Sequence, residues 1–270
     1  MNDSSLVFVG VAPHPPIMVP EVGGASVTKV RASVDAMRDL TERIKACGAE
    51  TIILISPHAP LEQNTFVAYG SARLRGDFAN FNAPQAIVEV PLDEELLRAI
   101  QQAAAEERYT VKLLGPQELD HGTAVPLYFL LRNGWTGRVV ALGYSFLPDK
   151  DHVRFGVCVR RAVDLAKRPT AFVASGDLSH RLNPGGPTGF DPEARCFDEQ
   201  VVAALGANAP ARVLRIDQGL RRRAGECGYR SMLVALGAAS GGEPECEVIS
   251  YEAPFGVGYL VAQLSRTSLN

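Results

Sequence analysis

LVFVGVAPHPP (residues 6–16) and TIILISPHAP (residues 51–60) decide how this chain folds. Each opens with an unbroken apolar run of strand length, and the second is rich in β-branched side chains. A run that does not alternate belongs to a strand buried on both faces, as in a parallel sheet. Prolines then end each run, and a histidine, His14 or His58, stands just beyond it. Between the two stretches, from Val27 on, apolar residues recur at Val30, Val34, Met37, Leu40 and Ile44, which is helical spacing, and Gly48 stops the helix.

Outward from this strand–helix–strand unit the alternation continues. Strands are expected at residues 65–69, 86–90, 111–114, 138–143, 170–174, 247–251 and 258–262. Helices are expected at 93–107, where Asp93 is the N-cap and Glu94 and Glu95 suit the positive end of the dipole, and at 124–132, 150–167, 192–205 and 223–238. The pattern predicts an α/β fold with a mainly parallel central sheet flanked by helices, the strands near 65–90 forming an antiparallel extension. No internal repeat or long linker divides the chain, so residues 1–270 are expected to form a single domain.

Composition narrows the function. With 46% hydrophobic and 21% charged residues, the chain of 270 can bury a core and is not of the disordered class. Its 27 basic and 30 acidic side chains leave a formal charge of −3, against a nucleic-acid footprint. The Arg221–Arg223 cluster reads as a solvated helix end. No apolar run approaches the roughly 20 residues a bilayer-spanning helix requires. The acidic, proline-interrupted N-terminus does not resemble a signal peptide, so a cytoplasmic location is expected. Five scattered cysteines without a CxxC pair fit a reducing compartment and argue against a zinc ribbon or a disulfide framework.

The five histidines carry the chemistry. His14, His58 and His180 each follow an apolar strand, and His121 lies where a helix begins. His152 falls on an exposed-looking helix start and is expected to be solvated. One histidine after a strand is more often a loop or core residue than a ligand. Three on the carboxyl ends of parallel strands share one rim, where open α/β sheets bind ligands. Prolines flanking His14 and His58 stiffen the backbone and lower the ordering cost of holding the rings, as a metal site requires. Two histidines and one carboxylate on one side of a metal leave positions open for substrates, the arrangement typical of non-haem Fe(II) oxygenases. For the third ligand Glu226, in AGECGYRS, and Glu252, in SYEAPFGVGY, are the carboxylate choices, and Cys227 could also ligate. Asp177 reads either as an acceptor orienting a histidine or as a turn residue.

The stretches APHPPIMVPEVG (12–23), ISPHAP (55–60), LDHGTAVPLYFL (119–130), ASGDLSHRL (174–182), ECGYRSMLVALGA (226–238) and SYEAPFGVGYLV (250–261) together resemble the LigB superfamily of class III extradiol ring-cleavage dioxygenases, in particular its AmmeMemoRadiSam or Memo-like branch. The resemblance implies His14 and His58 as metal ligands with Glu226 as the carboxylate, or Cys227 in the Memo manner. It implies His180 as the acid–base histidine and His121 as a second catalytic histidine, hydrogen-bonding substrate or oxygen. The implied cofactor is Fe(II), with Zn(II) used by some relatives, and the implied partners are O2 and a catechol-like or aminophenol-like ring. The alternative implied is a metal-binding interaction or redox protein without ring cleavage. A homodimer is expected for a chain of this type.

Overall fold

The computed structural model describes residues 5–186 and 188–266. In chain order its elements are β1 (Leu6–Ala12), α1 (Pro20–Gly23), α2 (Arg31–Ala46), β2 (Thr51–Ser56), β3 (Phe66–Tyr69), β4 (Arg73–Phe78), β5 (Ala83–Pro91), α3 (Glu94–Glu106) and β6 (Val111–Leu114). The second half adds α4 (His121–Arg132), β7 (Arg138–Gly143), α5 (Asp149–Ala166), β8 (Thr170–Ser175), α6 (Ala194–Gly206), α7 (Gln218–Ala224), α8 (Tyr229–Ala239), β9 (Glu247–Glu252) and β10 (Tyr259–Arg266).

One eight-stranded sheet runs in the order β6-β3-β7-β2-β8-β1-β10-β9. Its centre, β7-β2-β8-β1, is parallel throughout, while β3 and β10 join antiparallel on either flank. Every residue of β1, β2 and β8 is buried, which is why these strands read as continuous apolar runs. Helices α2 and α4 pack on each other and against the sheet, and α3, α5 and α8 form a second packed group against it. In α2 the buried positions Ser33, Ala36, Met37, Leu40, Thr41 and Ile44 trace the helical stripe visible in the sequence. The result is the single-domain α/β fold that the apolar pattern predicts.

Four local expectations are corrected. Only β3 of the 65–90 region joins the main sheet; β4 and β5 form a separate antiparallel pair against α4. The helix expected at 223–238 is broken: Gly225, at φ +66°, ends α7, and α8 begins only at Tyr229. His152 is fully buried, with Nε2 3.0 Å from the Ser145 carbonyl oxygen and Nδ1 3.2 Å from that of Pro148. Backbone carbonyls of the preceding loop give the imidazole polar partners that make its burial tolerable. Arg221 is buried rather than solvated, because Asp149 takes its guanidinium at 2.6 Å and the Tyr229 ring lies 3.9 Å beneath it.

Candidate metal centre

β2, β8 and β1 are adjacent and parallel, so the segments after them emerge on one rim. They bring His58, His180 and His14 together, as the strand reading anticipates. His121 is delivered by α4, whose start is fixed by Asp120. The Asp120 carboxylate accepts hydrogen bonds from the Thr123 amide (3.1 Å) and hydroxyl (2.9 Å), Ser56 (2.5 Å) and Tyr69 (2.9 Å). This cap moves the helix start from the expected residue 124 back to His121. Nothing larger than glycine fits next to it: a Cβ on Gly122 would stand 2.4 Å from Ser56 Oγ and 3.2 Å from His58 Cδ2.

His14, His58 and His121 each offer a ring nitrogen within 4.8 Å of the others, and among the described residues this is the group with metal-site spacing. His14 is buried, His121 half-buried and His58 exposed, so the group opens to solvent on the His58 side. The His58 and His121 rings stack at 4.3 Å, and His14 meets both edge-on. Hydrogen bonding fixes the His14 tautomer. Ser175 Oγ donates to the Gly122 carbonyl at 2.5 Å, so it accepts from His14 Nδ1 at 3.0 Å. His14 Nε2 therefore carries a lone pair, and it lies 3.0 Å from His58 Nε2.

Nitrogens that bind one zinc-sized ion at about 2.1 Å stand roughly 3 Å apart in cis positions. The spacing thus fits one shared cation. Two other donors face His14 Nε2: Cys227 Sγ at 3.7 Å and Asp177 Oδ2 at 3.8 Å. The imidazole, carboxylate and thiol set suits Fe(II) or Zn(II).

The adjacent pair Glu226–Cys227 divides its roles. Glu226 turns its carboxylate onto the start of α8, where Oε2 accepts the Tyr229 amide at 2.7 Å, and it stands outside the histidine group. Glu252 is likewise elsewhere, holding the Ser33 amide (2.8 Å) and hydroxyl (2.5 Å) of α2. Asp177 orients a histidine, as one of its two readings supposes: Oδ1 accepts the His14 amide at 3.0 Å. Its own backbone is tied to the Glu226–Cys227 loop, since Asp177 O accepts the Gly228 amide at 3.0 Å and the Asp177 amide meets Cys227 Sγ at 3.3 Å.

His180 lies beside the group. Its Nδ1 donates to the Gly225 carbonyl at 2.8 Å, leaving an Nε2 lone pair 4.0 Å from Asp177 Oδ2. Ser175, Ser56 and Tyr144 are site residues that sequence reading missed. Ser175 had one signal, a hydroxyl that ends the apolar run of residues 171–174.

Burial, then the neighbouring histidines, holds His14 well below the usual imidazole range, and His58 is pushed down to about 4 by desolvation and His121. Burial lowers His121 and His180 as well. All four therefore stay neutral at pH 7, the form that a ligand or base needs. The sign for stability follows from linkage: the unfolded chain takes up a proton that folded His58 refuses, so its contribution is whole above 6.5 and lost as pH falls toward 4. Asp177 and Glu226 act oppositely, since burial raises both to about 7 and their contribution is lost as pH rises to that value. Urea titrations of metal-free wild type and His58→Ala isolate the histidine. Their difference in unfolding free energy should shift against the wild type between pH 6.5 and 4; a constant difference would contradict the depressed value.

A family model described as the catalytic LigB subunit of aromatic ring-opening dioxygenase matches residues 9–262. The chain belongs to the LigB family. Membership supports an oxygenase-type enzyme in general, and the histidine group fits the metal dependence of such proteins. Protein CA_C1420 of Clostridium acetobutylicum is 36% identical over 265 residues, which are 95% of this chain; the chain spans 57% of that curated relative's length. The uncharacterized protein JW3007 from Escherichia coli K12 shares the fold, with a TM-score of 0.62 at 16% identity over 96% of this chain and all of that one. Among the described residues no helix is long and apolar enough to cross a membrane.

Proposed function

We propose that this chain is an Fe(II)-dependent extradiol dioxygenase that opens a catechol-like or aminophenol-like ring with O2. The observation that carries the reading is the 3.0 Å approach of His14 Nε2 to His58 Nε2, with the His14 lone pair aimed into the gap and an unprotonated His180 beside it. His14 and His58 hold the metal, and the third donor comes from His121 or from the Asp177–Cys227 side. What a divalent iron would supply there is an electron path between an electron-rich ring and dioxygen.

The protein's own groups do the rest. His180 Nε2 takes the proton of a ring hydroxyl and later returns it to the opening product, acting as base and then acid. Asp177 Oδ2, 4.0 Å away, is placed to stabilise the imidazolium in between. The Nδ1 bond to Gly225 holds the ring orientation through both steps. Both oxygen atoms end in the product, so no external reductant is consumed.

His180→Ala should keep its metal and slow turnover by about 10² to 10⁴, the usual scale of acid–base catalysis. Elemental analysis beside single-turnover kinetics checks both halves; metal lost with His180 would make it a ligand instead. The activity itself is tested by oxygen uptake of Fe(II)-loaded protein with catechols and 2-aminophenols, followed by ¹⁸O₂ labelling. Uptake of one O2 per ring with both labels retained supports the reading.

One observation favours a second reading, a Memo-like metal-binding protein without ring cleavage. Of the adjacent pair, Cys227 faces His14 at 3.7 Å while Glu226 is engaged with Tyr229. Stoichiometric metal that requires Cys227, with no uptake across the panel, would select it. A zinc protein is the corresponding outcome if Zn(II) alone binds.

A further inference from the structure

Asp198 takes no part in the metal centre, yet its carboxylate is wholly buried. It stands in α6 on the stripe that also buries Ala194, Phe197, Val201 and Leu205, where helical spacing calls for an apolar side chain. Carboxylates are almost never fully buried unless their oxygens are paired. Here both are. Oδ1 accepts the Ser179 amide at 2.9 Å, and Oδ2 accepts the Tyr251 hydroxyl of β9 at 2.7 Å. The two bonds tie a loop amide and a sheet residue to α6.

Ser179 immediately precedes His180, and the stretch around it is clamped. The Leu178 amide donates to the Gly258 carbonyl and the Gly258 amide to the Ser179 carbonyl, both at 2.8 Å. The Leu182 amide reaches the Gly256 carbonyl at 3.1 Å, so residues 178–182 lie along the turn between β9 and β10. On the other side the His180 amide donates to the Ala224 carbonyl at the end of α7, at 3.0 Å. The buried Ser179 hydroxyl lies 3.2 Å from the carbonyl oxygens of both Ala194 and Ala224. Gly258 lets the clamp close: a Cβ there would stand 2.0 Å from Asp198 Oδ2 and 3.0 Å from Leu178 Cβ. His180 thus leaves a backbone held by α6, by α7 and by the β9–β10 turn. Its ring has one further tether, the Nδ1 bond to the Gly225 carbonyl at 2.8 Å.

We propose that Asp198 is a positioning residue for His180, acting through the Ser179 amide to fix the backbone from which the imidazole reaches the substrate. The inference rests on the acid–base role given to His180 above. A ring that takes and returns a proton must keep Nε2 in place in both charge states, and a displacement of about 1 Å caused far from the chemistry can cost roughly a hundredfold in rate. The carboxylate serves through its shape: one acceptor meets a backbone amide and the other a phenol, in a space that Gly258 keeps narrow. Asparagine reproduces this pattern, since its amide oxygen accepts from Ser179 and its NH2 group donates to the Tyr251 oxygen. Alanine offers neither bond.

The test reads the His180 ring and the turnover separately. In metal-free protein labelled with ¹⁵N-histidine, long-range ¹H–¹⁵N correlation reports which ring nitrogen carries the proton, and His180→Gln assigns the signal. Wild type should show the Nδ1–H form that the Gly225 bond requires. Asp198→Ala should lose it to a mixture of tautomers, and Asp198→Asn should keep it. In oxygen uptake by Fe(II)-loaded protein, Asp198→Ala should lower kcat about ten- to a hundredfold with metal content and KM unchanged, and Asp198→Asn should recover most of the loss. A purely structural aspartate would lower the folded fraction and leave kcat per metal-loaded molecule alone. If Asp198→Ala does not fold, Asp198→Ser, which leaves a polar partner for the Tyr251 hydroxyl, replaces it under the same criteria. Wild-type tautomer and kcat in Asp198→Ala, or an asparagine variant as impaired as alanine, would overturn the proposal. The expected tautomer changes without oxygen uptake by the wild type would keep the clamp and defeat ring cleavage; uptake that Asp198→Ala leaves untouched would do the reverse.

Discussion

Alanine at His58 is expected to abolish stoichiometric binding of both Fe(II) and Zn(II). The ring contributes one of two nitrogens 3.0 Å apart, and the opposite one, on His14, is held with its lone pair outward by Ser175. Removing His58 leaves His14 Nε2 with no imidazole at that spacing, and it removes the ring on which His121 stacks at 4.3 Å. Loss of hydrogen-bonding partners behind a ligand typically costs 10- to 100-fold in metal affinity, so loss of the ligand itself should exceed about 100-fold. Elemental analysis of anaerobically purified protein, with each metal added back and then dialysed, reads this directly. Full metal content in His58→Ala would remove the basis of the proposed function. The same measurement on two further variants reports the third donor. Glu226→Ala should keep its metal, because that carboxylate is bonded to the Tyr229 amide; loss there would restore the carboxylate ligand expected from sequence. Cys227→Ala losing metal would point to thiolate ligation, and together with no oxygen uptake by the wild type it would select the second functional reading.

A methyl group at position 176 is expected to damage the fold and the centre together. Gly176 follows β8, the strand held between β2 and β1, and a Cβ there would sit 2.0 Å from Gly228 Cα and 3.0 Å from its nitrogen. Both are backbone atoms, so no side-chain rotation relieves the clash. The central strand is paired on both sides, and the strain therefore falls on the segment leading into α8. That segment holds Cys227 against Asp177 through the Gly228 amide and the Cys227 sulfur. Overpacking of a filled site commonly costs 1–3 kcal/mol, and a backbone collision should reach about 3 kcal/mol or more. Urea denaturation of Gly176→Ala should show a midpoint well below wild type, with metal content reduced in the fraction that folds. Gly206→Ala is the control, because a Cβ there meets nothing within 4 Å. Equal midpoints for the two variants would mean that the Gly176–Gly228 approach is not constraining.

Much of this was legible without coordinates. The apolar runs of β1, β2 and β8 are continuous because each is paired on both sides and covered on both faces, and that environment leaves a direct mark on composition. The prolines after β1 and β2 mark where those strands end, so three histidines could be assigned to one rim from the run lengths alone. The oxygenase family, too, was readable from the spread of motifs along the chain.

Local pattern failed where contacts cross long stretches of chain. His152 looked solvated because its own helix start is charged, yet Phe66 and Tyr144 pack edge-on against its ring. The helix expected through 223–238 breaks because Gly225 takes a left-handed turn and Gly228 must lie against Gly176. That break decides which of Glu226 and Cys227 looks toward His14, and no periodicity in AGECGYRS contains the answer. Cys227 and His14 are 213 positions apart. Apolar spacing reports burial, a property each segment expresses by itself; strand order and backbone approach decide which atoms meet, and those are properties of the folded whole.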